Sequence, residues 1–216
     1  MMHVSEKYLE EFVSACHRVA SHGLVRSSSG NLSWRVNEEC MLITATRSWM
    51  GELTRDQVAV CRISDGAVLN EKKPSAENSF HFGILRERSD VNVVLHFQSP
   101  YATAIACSGR DYNNFSVIPE IPYYLGQIAT VPYLNPGSNE LAKEVISAMK
   151  EHDLVILKNH GQVTVGNNFD EVIQKATFFE LACEVILHAG NQIQFLSQSA
   201  IDYLRQIYLK SNYSKR

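Results

Sequence analysis

The 216-residue sequence predicts an α/β sandwich with helices on both sides of one sheet, and three observations carry that prediction. Short apolar, β-branched runs alternate with longer stretches whose apolar residues recur at helical spacing. No repeat, low-complexity tract or linker interrupts them, so residues 1–216 are expected to form a single domain. A hydrophobic content of 45% and a charged content of 20% suit a globular chain with a sizeable buried core.

The elements follow in order. In EKYLEEFVSACHRVASHGL, residues Leu9, Phe12, Val13, Cys16, Val19 and Ala20 share a helix face, and Gly23 closes it. SSSGNLSWRV reads as a turn entering a strand, CMLITA and VAVCRI as strands, and DGAVL as a hairpin-like turn with one more. KPSAENSFHFGILRER turns at its proline and then runs helically through Phe80, Ile84 and Leu85. VNVVLHF is a strand, and YATAIACSG a short helix closed by Gly109. The proline-bearing segment 112–137 reads as a loop-rich excursion with short strands. ELAKEVISAMKEH is a helix; LVILKNHG and QVTVG are strands around a turn. FDEVIQKATFFELACEVILHAG is a long helix ended by Gly190, and a last helix precedes a basic tail.

Composition excludes several classes of function. A net charge of −3 and a pI near 6.2 give no basic footprint for nucleic acid. The five cysteines, at 16, 40, 61, 107 and 183, are odd in number and form no C-x-x-C pair, as in a reducing cytosol. The polar start MMHVSEKYLEEF lacks the features of a signal peptide, and no apolar run spans a bilayer. A cytoplasmic protein with no membrane partner is expected.

The chemistry concentrates at strand ends. In VVLHFQSPYATA, strand alternation would put His96 and Gln98 on one face, and His160 ends another strand in NHG. Two imidazoles suit zinc, manganese or cobalt, but a stable site needs a third group. From spacing alone, H-x-Q is no specific metal signature, and a hydrogen-bonded structural histidine is the simpler explanation. Glu77 falls on a first helical turn, where it serves either as a capping carboxylate or as a proton acceptor beside a cation. The clusters SSSGNLS, TATRS and PSAE offer hydroxyls, amides and Arg47 that suit a small phosphate if they converge. No dinucleotide or P-loop fingerprint occurs.

Taken in order, SSSGNLSWR, MLITATR, KPSAENSFH, VVLHFQSPYATA, LVILKNHGQVTVG and FELACEV resemble the class II aldolase/adducin family over nearly the whole chain, the fuculose-1-phosphate aldolase group most of all. The resemblance implies a three-layer α/β/α sandwich around a mixed, largely antiparallel sheet, and a homotetramer. It implies a divalent metal, zinc first and manganese or cobalt next, on His96, Gln98 and His160, with Glu77 as acid/base and further ligand. Gln98 stands where the family has a third histidine. The phosphate of a small-molecule sugar phosphate would meet Gly30, Asn31, Thr46, Arg47, Ser75 and Ala76; Arg47 and Ala76 replace the family's glycine and second serine. Tyr123 aligns with a tyrosine that protonates the leaving aldehyde, and Tyr208 or Tyr213 with one from a neighbouring subunit's tail. The implied activity is cleavage of a ketose 1-phosphate to dihydroxyacetone phosphate and an aldehyde through an enediolate. Alternatives are a sugar-acid phosphate decarboxylase, another sugar-phosphate aldolase, or a non-catalytic adducin-head-like module.

Overall fold

The computed structural model describes residues 4–213, with side chains placed through Lys210. Strands β1 (Asn31–Arg35), β2 (Cys40–Thr44), β3 (Val58–Arg62), β4 (Val93–Phe97), β5 (Ala129–Val131), β6 (Leu154–Leu157) and β7 (Gly161–Gly166) form one sheet in the order β3-β2-β1-β4-β7-β6-β5. Every neighbouring pair is antiparallel except β5 with β6. Helices α1 (Glu6–Ser21), α3 (Pro100–Ala106) and α5 (Phe169–Ala189) cover one face, and α2 (Asn78–Glu87) and α4 (Asn139–Met149) the other. Helix α6 (Gln198–Tyr213) packs near a π-helical turn at Ile121–Leu125. The predicted three-layer sandwich with a mixed, largely antiparallel sheet is the observed one.

Strand alternation divides the core and aims the chemistry. On β4, Val93, Leu95 and Phe97 enter the apolar layer under α1, α3 and α5, while Val94 enters the layer under α2 and α4. His96 therefore shares Val94's face and lies edge-on to Phe80 of α2. On β1, Asn31 and Ser33 point the same way, with Asn31 directly opposite His96. The sheet thus presents a short polar row where its apolar surface ends.

Some boundaries differ from the sequence expectation. Helix α1 ends with Gly23 in the left-handed region (φ +71°), and α5 with Gly190 likewise (φ +55°), as expected. Helix α3 stops three residues short of Gly109, with Cys107 at its C-cap. DGAVL forms only an isolated bridge, Cys61 to Val68, since turn bonds around Asp65 and Gly66 occupy that backbone. Strand β4 ends at Phe97, so the alternation expected through Gln98 does not extend that far. Helix α3 is instead held by α5: Ser99 Oγ (2.6 Å) and the amides of Tyr101 (2.9 Å) and Ala102 (2.8 Å) all donate to the Glu180 carboxylate. That clamp fixes the chain immediately after Gln98.

Candidate metal centre and substrate pocket

Three elements bring Glu77, His96 and His160 together. His96 comes from the end of β4, and its ring is fixed by the neighbouring strand. Its Nδ1 lies 2.9 Å from the Gln162 carbonyl on β7. A carbonyl can only accept, so Nδ1 carries the hydrogen and Nε2 presents a lone pair. His160 sits in the three-residue turn joining β6 to β7, where Leu157 pairs with Gly161 and Asn159 takes the left-handed conformation (φ +54°). Because β7 pairs with β4, this turn lies beside the end of β4. A side chain at Gly161 would place its Cβ 2.7 Å from the Phe97 carbonyl and 3.1 Å from the His96 ring, so the approach requires glycine.

Glu77 is the N-cap of α2, yet its carboxylate caps nothing. It turns into the site, with Oε2 3.4 Å from His96 Nε2 and Oε1 3.4 Å from His160 Nε2. Asn31 Nδ2 donates to Oε2 at 3.0 Å, whereas Oε1 is buried without a hydrogen-bond partner. The ligand atoms of Glu77, His96 and His160 all lie within 4.8 Å of one another. A buried carboxylate with one oxygen lacking a donor, set beside two imidazole nitrogens, is costly unless a cation sits among them. Two imidazoles and a carboxylate are also a protein ligand set of open zinc sites. These residues fit a divalent metal.

Burial, reinforced by the nearby His96 and partly opposed by Glu77, pulls the His160 pKa down to about 4. Its ring is thus neutral, with its nitrogen lone pair available. Between about 4 and the ordinary histidine value near 6.5, the unfolded chain binds a proton there that the folded chain does not. The metal-free protein should therefore gain stability from this group as pH rises through that window and lose it as pH falls. Urea unfolding at pH 4.5 and 7 in the presence of a chelator checks this. The wild type should show a steeper pH dependence than His160→Gln, and equal slopes would refute the assignment.

A pocket of about 270 Å³ opens on these groups. It is lined by all ten residues singled out above for metal or phosphate: Gly30, Asn31, Thr46, Arg47, Ser75, Ala76, Glu77, His96, Gln98 and His160. Gly30 (φ +72°) passes so close to β4 that a Cβ would lie 2.6 Å from the His96 carbonyl. The Thr46–Ser48 loop is tied to the Lys73–Ser75 segment through Thr46 N to Lys73 O and Ser75 N to Thr44 O, both 3.0 Å. Within it Arg47 takes the left-handed conformation (φ +62°). Gln98 reaches the pocket rim from the loop, its backbone held by Leu24 O at 2.9 Å.

Two of the expected site residues have partners of their own within the chain. Asn31 lines the pocket and is also bonded at both ends of its side chain, to His81 and to Glu77. Tyr123 does not line the pocket. It lies in the Ile121–Leu125 turn, where its ring packs against Tyr124 (4.6 Å) and Tyr208 (5.4 Å). The Tyr213 side chain lies outside the described residues. A larger cavity of about 700 Å³ sits beyond the opposite end of β4, near Val91 and Asp153. Its charged residues Arg88, Asp153, Glu171 and Lys175 already pair with one another around the buried Lys175 ammonium.

Comparison with known proteins agrees with this architecture. Residues 10–187 match the model of the Class II Aldolase and Adducin N-terminal domain. The chain belongs to that family. A 3-oxo-tetronate 4-phosphate decarboxylase of Escherichia coli O6:H1 is 29% identical over 207 residues, covering 94% of this chain and 97% of its own. An L-fuculose phosphate aldolase of Methanococcus maripaludis is 34% identical over 172 residues, covering 80% and 91%. The crystal structure of YgbL from Klebsiella pneumoniae superposes with a TM-score of 0.86 at 28% identity, covering 94% of this chain and all of the other.

Proposed function

We propose that this chain is a metal-dependent decarboxylase of a four-carbon 3-oxo sugar-acid phosphate, working through an enediolate. The observation that carries this is the near end-to-end likeness to 3-oxo-tetronate 4-phosphate decarboxylases, including one covered over 97% of its length. Two features of the pocket support it. Decarboxylation expels carbon dioxide, so no aldehyde oxygen needs a proton, and among the described residues no tyrosine lines the pocket. The substrate carries two anionic groups, and Arg47 places an exposed guanidinium at the pocket wall.

When the C1–C2 bond breaks, its electron pair stays on C2 and spreads onto the C3 carbonyl oxygen, and carbon dioxide leaves. A proton that Glu77 takes up from solvent and passes to C2 then completes dihydroxyacetone phosphate. A divalent metal held by Glu77, His96 and His160, with Gln98 beside them, would supply positive charge to the developing oxyanion. Zinc suits the two imidazoles, and the neutral Gln98 in place of a third leaves room for manganese or cobalt. Gly30, Thr46, Ser75, Ala76 and the adjoining amides of α2 would receive the phosphate.

The second reading is aldol cleavage of a ketose 1-phosphate such as L-fuculose 1-phosphate, which passes through the same enediolate. It is favoured by the 34% identity to an L-fuculose phosphate aldolase. In that case Tyr123 and Tyr208, which touch each other away from their own pocket, would act in the site of a neighbouring subunit of a tetramer. The assembled Glu77, His96 and His160 speak against a non-catalytic module.

The test is a panel of phosphorylated sugar acids and ketose phosphates, with carbon dioxide and dihydroxyacetone phosphate measured together. Equimolar release of both from 3-oxo-tetronate 4-phosphate, lost with a chelator and in His96→Ala, is expected. Dihydroxyacetone phosphate with an aldehyde and no carbon dioxide would transfer the assignment to the aldolase. Turnover undiminished by chelator would remove the metal from either scheme.

A further inference from the structure

Behind Glu77 runs a buried chain of hydrogen bonds that the chemistry above leaves unused. Ser33 Oγ lies 2.8 Å from His81 Nδ1, His81 Nε2 meets Asn31 Oδ1, and Asn31 Nδ2 lies 3.0 Å from Glu77 Oε2. Ser33 and His81 are fully buried and Asn31 is 4% exposed. The fold makes the chain unavoidable. His81 follows Glu77 by four residues across the first turn of α2, and Asn31 and Ser33 alternate onto the face of β1 beneath it.

One distribution of protons satisfies all three bonds. The Glu77 carboxylate can only accept, so Asn31 turns its NH₂ group toward it. The Asn31 carbonyl oxygen then faces His81 and can only accept, so His81 carries its hydrogen on Nε2. Nδ1 is left as an acceptor, and the Ser33 hydroxyl donates to it. Burial, with His96 nearby, holds the His81 pKa well below the usual histidine value and keeps the ring neutral. The consequence reaches Glu77: Oε2 is tied to Asn31, while the buried Oε1 has no hydrogen-bond partner.

We propose that His81 is a positioning residue: its Nε2–H tautomer, selected by Ser33, locks the Asn31 amide so that Glu77 is held by Oε2 and offers Oε1 to metal or substrate. The opposite tautomer would turn the Asn31 oxygen toward the carboxylate, setting two acceptors face to face and pushing Glu77 out of register. The proposal rests on Glu77 being the ligand and proton carrier of the proposed function, but its first test needs neither metal nor substrate.

Long-range ¹H–¹⁵N NMR of the metal-free wild type should show His81 protonated at Nε2; a hydrogen on Nδ1 overturns the proposal. Cobalt(II) titration followed by absorbance then compares His81→Phe with His81→Gln, whose side-chain amide can still donate to Asn31. Circular dichroism serves as the check on folding. Apparent cobalt affinity should fall about 10–100-fold in His81→Phe, with most of it recovered in His81→Gln. Unchanged affinity in His81→Phe, or equal losses in both, overturns the positioning role. Should His81→Phe not fold, Ser33→Ala replaces it, with mixed His81 tautomers and an intermediate loss expected; wild-type behaviour in both overturns the proposal. A wild type that binds no cobalt defeats the metal-dependent function instead, and the NMR result still decides the tautomer.

Discussion

Glu77→Gln is expected to lower kcat for the active phosphorylated substrate by about 10²–10⁴-fold while KM stays within a few-fold, the usual contribution of a positioned acid/base. Glutamine keeps the shape of the side chain and an oxygen that can still accept from Asn31 Nδ2, now 3.0 Å from Glu77 Oε2. What it cannot do is carry a proton at Oε1, the oxygen 3.4 Å from His160 Nε2. The decarboxylation and aldol schemes share this demand, since both end with a proton added to an enediolate carbon. The variant therefore tests the role of Glu77 without depending on which bond breaks. Steady-state kinetics should be run beside metal analysis, because an amide is a weaker ligand than a carboxylate. A large fall in kcat with metal still bound identifies Glu77 as the proton carrier. A fall that disappears when excess metal is added marks it as a ligand alone, and kcat within tenfold of wild type removes it from the chemistry.

Much of this centre was legible because it depends on residue type at strand and helix ends. His96 and His160 follow apolar runs that have to be strands, and Ser75 with the proline before it announces the start of α2. Glu77 was harder to assign, since a carboxylate on a first turn is most simply a cap. Only the packing of α2 across β1 and β4 turns it toward two histidines. Gln98 reached the pocket for a different reason from the one expected, through a loop held by Leu24 and anchored by Glu180 rather than through strand alternation. The Glu180 clamp is a contact between residues about eighty positions apart, which no local pattern reveals. The Gln162 carbonyl that orients His96 is backbone and carries no signal of residue type. His81 did leave a trace, the four-residue spacing from Glu77 that puts both on one face of a helix, but it ranks as a core histidine until Asn31 and Ser33 are seen beneath it. Tyr123 shows the limit of inheritance by alignment: its position matches, yet within this chain its ring meets other tyrosines and not the pocket.

Lys175→Met is expected to cost about 3 kcal/mol of stability and to leave the 25 °C activity near that of the wild type. Lys175 lies on α5 and is 1% exposed, in a stretch whose apolar neighbours read simply as core. Its ammonium uses all three donors, on Asp153 Oδ2 (2.8 Å), Glu171 Oε1 (2.7 Å) and the Val165 carbonyl (3.0 Å). Burial alone would lower its pKa, but Asp153 and Glu171 outweigh burial and raise it. Removing one partner from a buried pair leaves the other charged and desolvated, which commonly costs 3–5 kcal/mol, roughly the range expected here. The lower end applies because Asp153 and Glu171 are each about a quarter exposed and Asp153 keeps Arg88 at 3.1 Å. For a chain of this size that loss lowers Tm by about 6–12 °C. Because the folded pKa lies above the unfolded one, the contribution is fully present below the unfolded value near 10.5 and disappears only as pH rises through the folded value. The gap between wild type and variant should accordingly stay constant from pH 7 to 9 and close only in stronger alkali. Replacing Asp153 and Glu171 by leucine in the Lys175→Met background should recover much of the loss, since an apolar cluster of similar volume leaves no charge unpaired. A single-variant loss below about 1 kcal/mol would mean that the ion cluster is already hydrated, and that the apolar face of α5 alone holds that helix against β7.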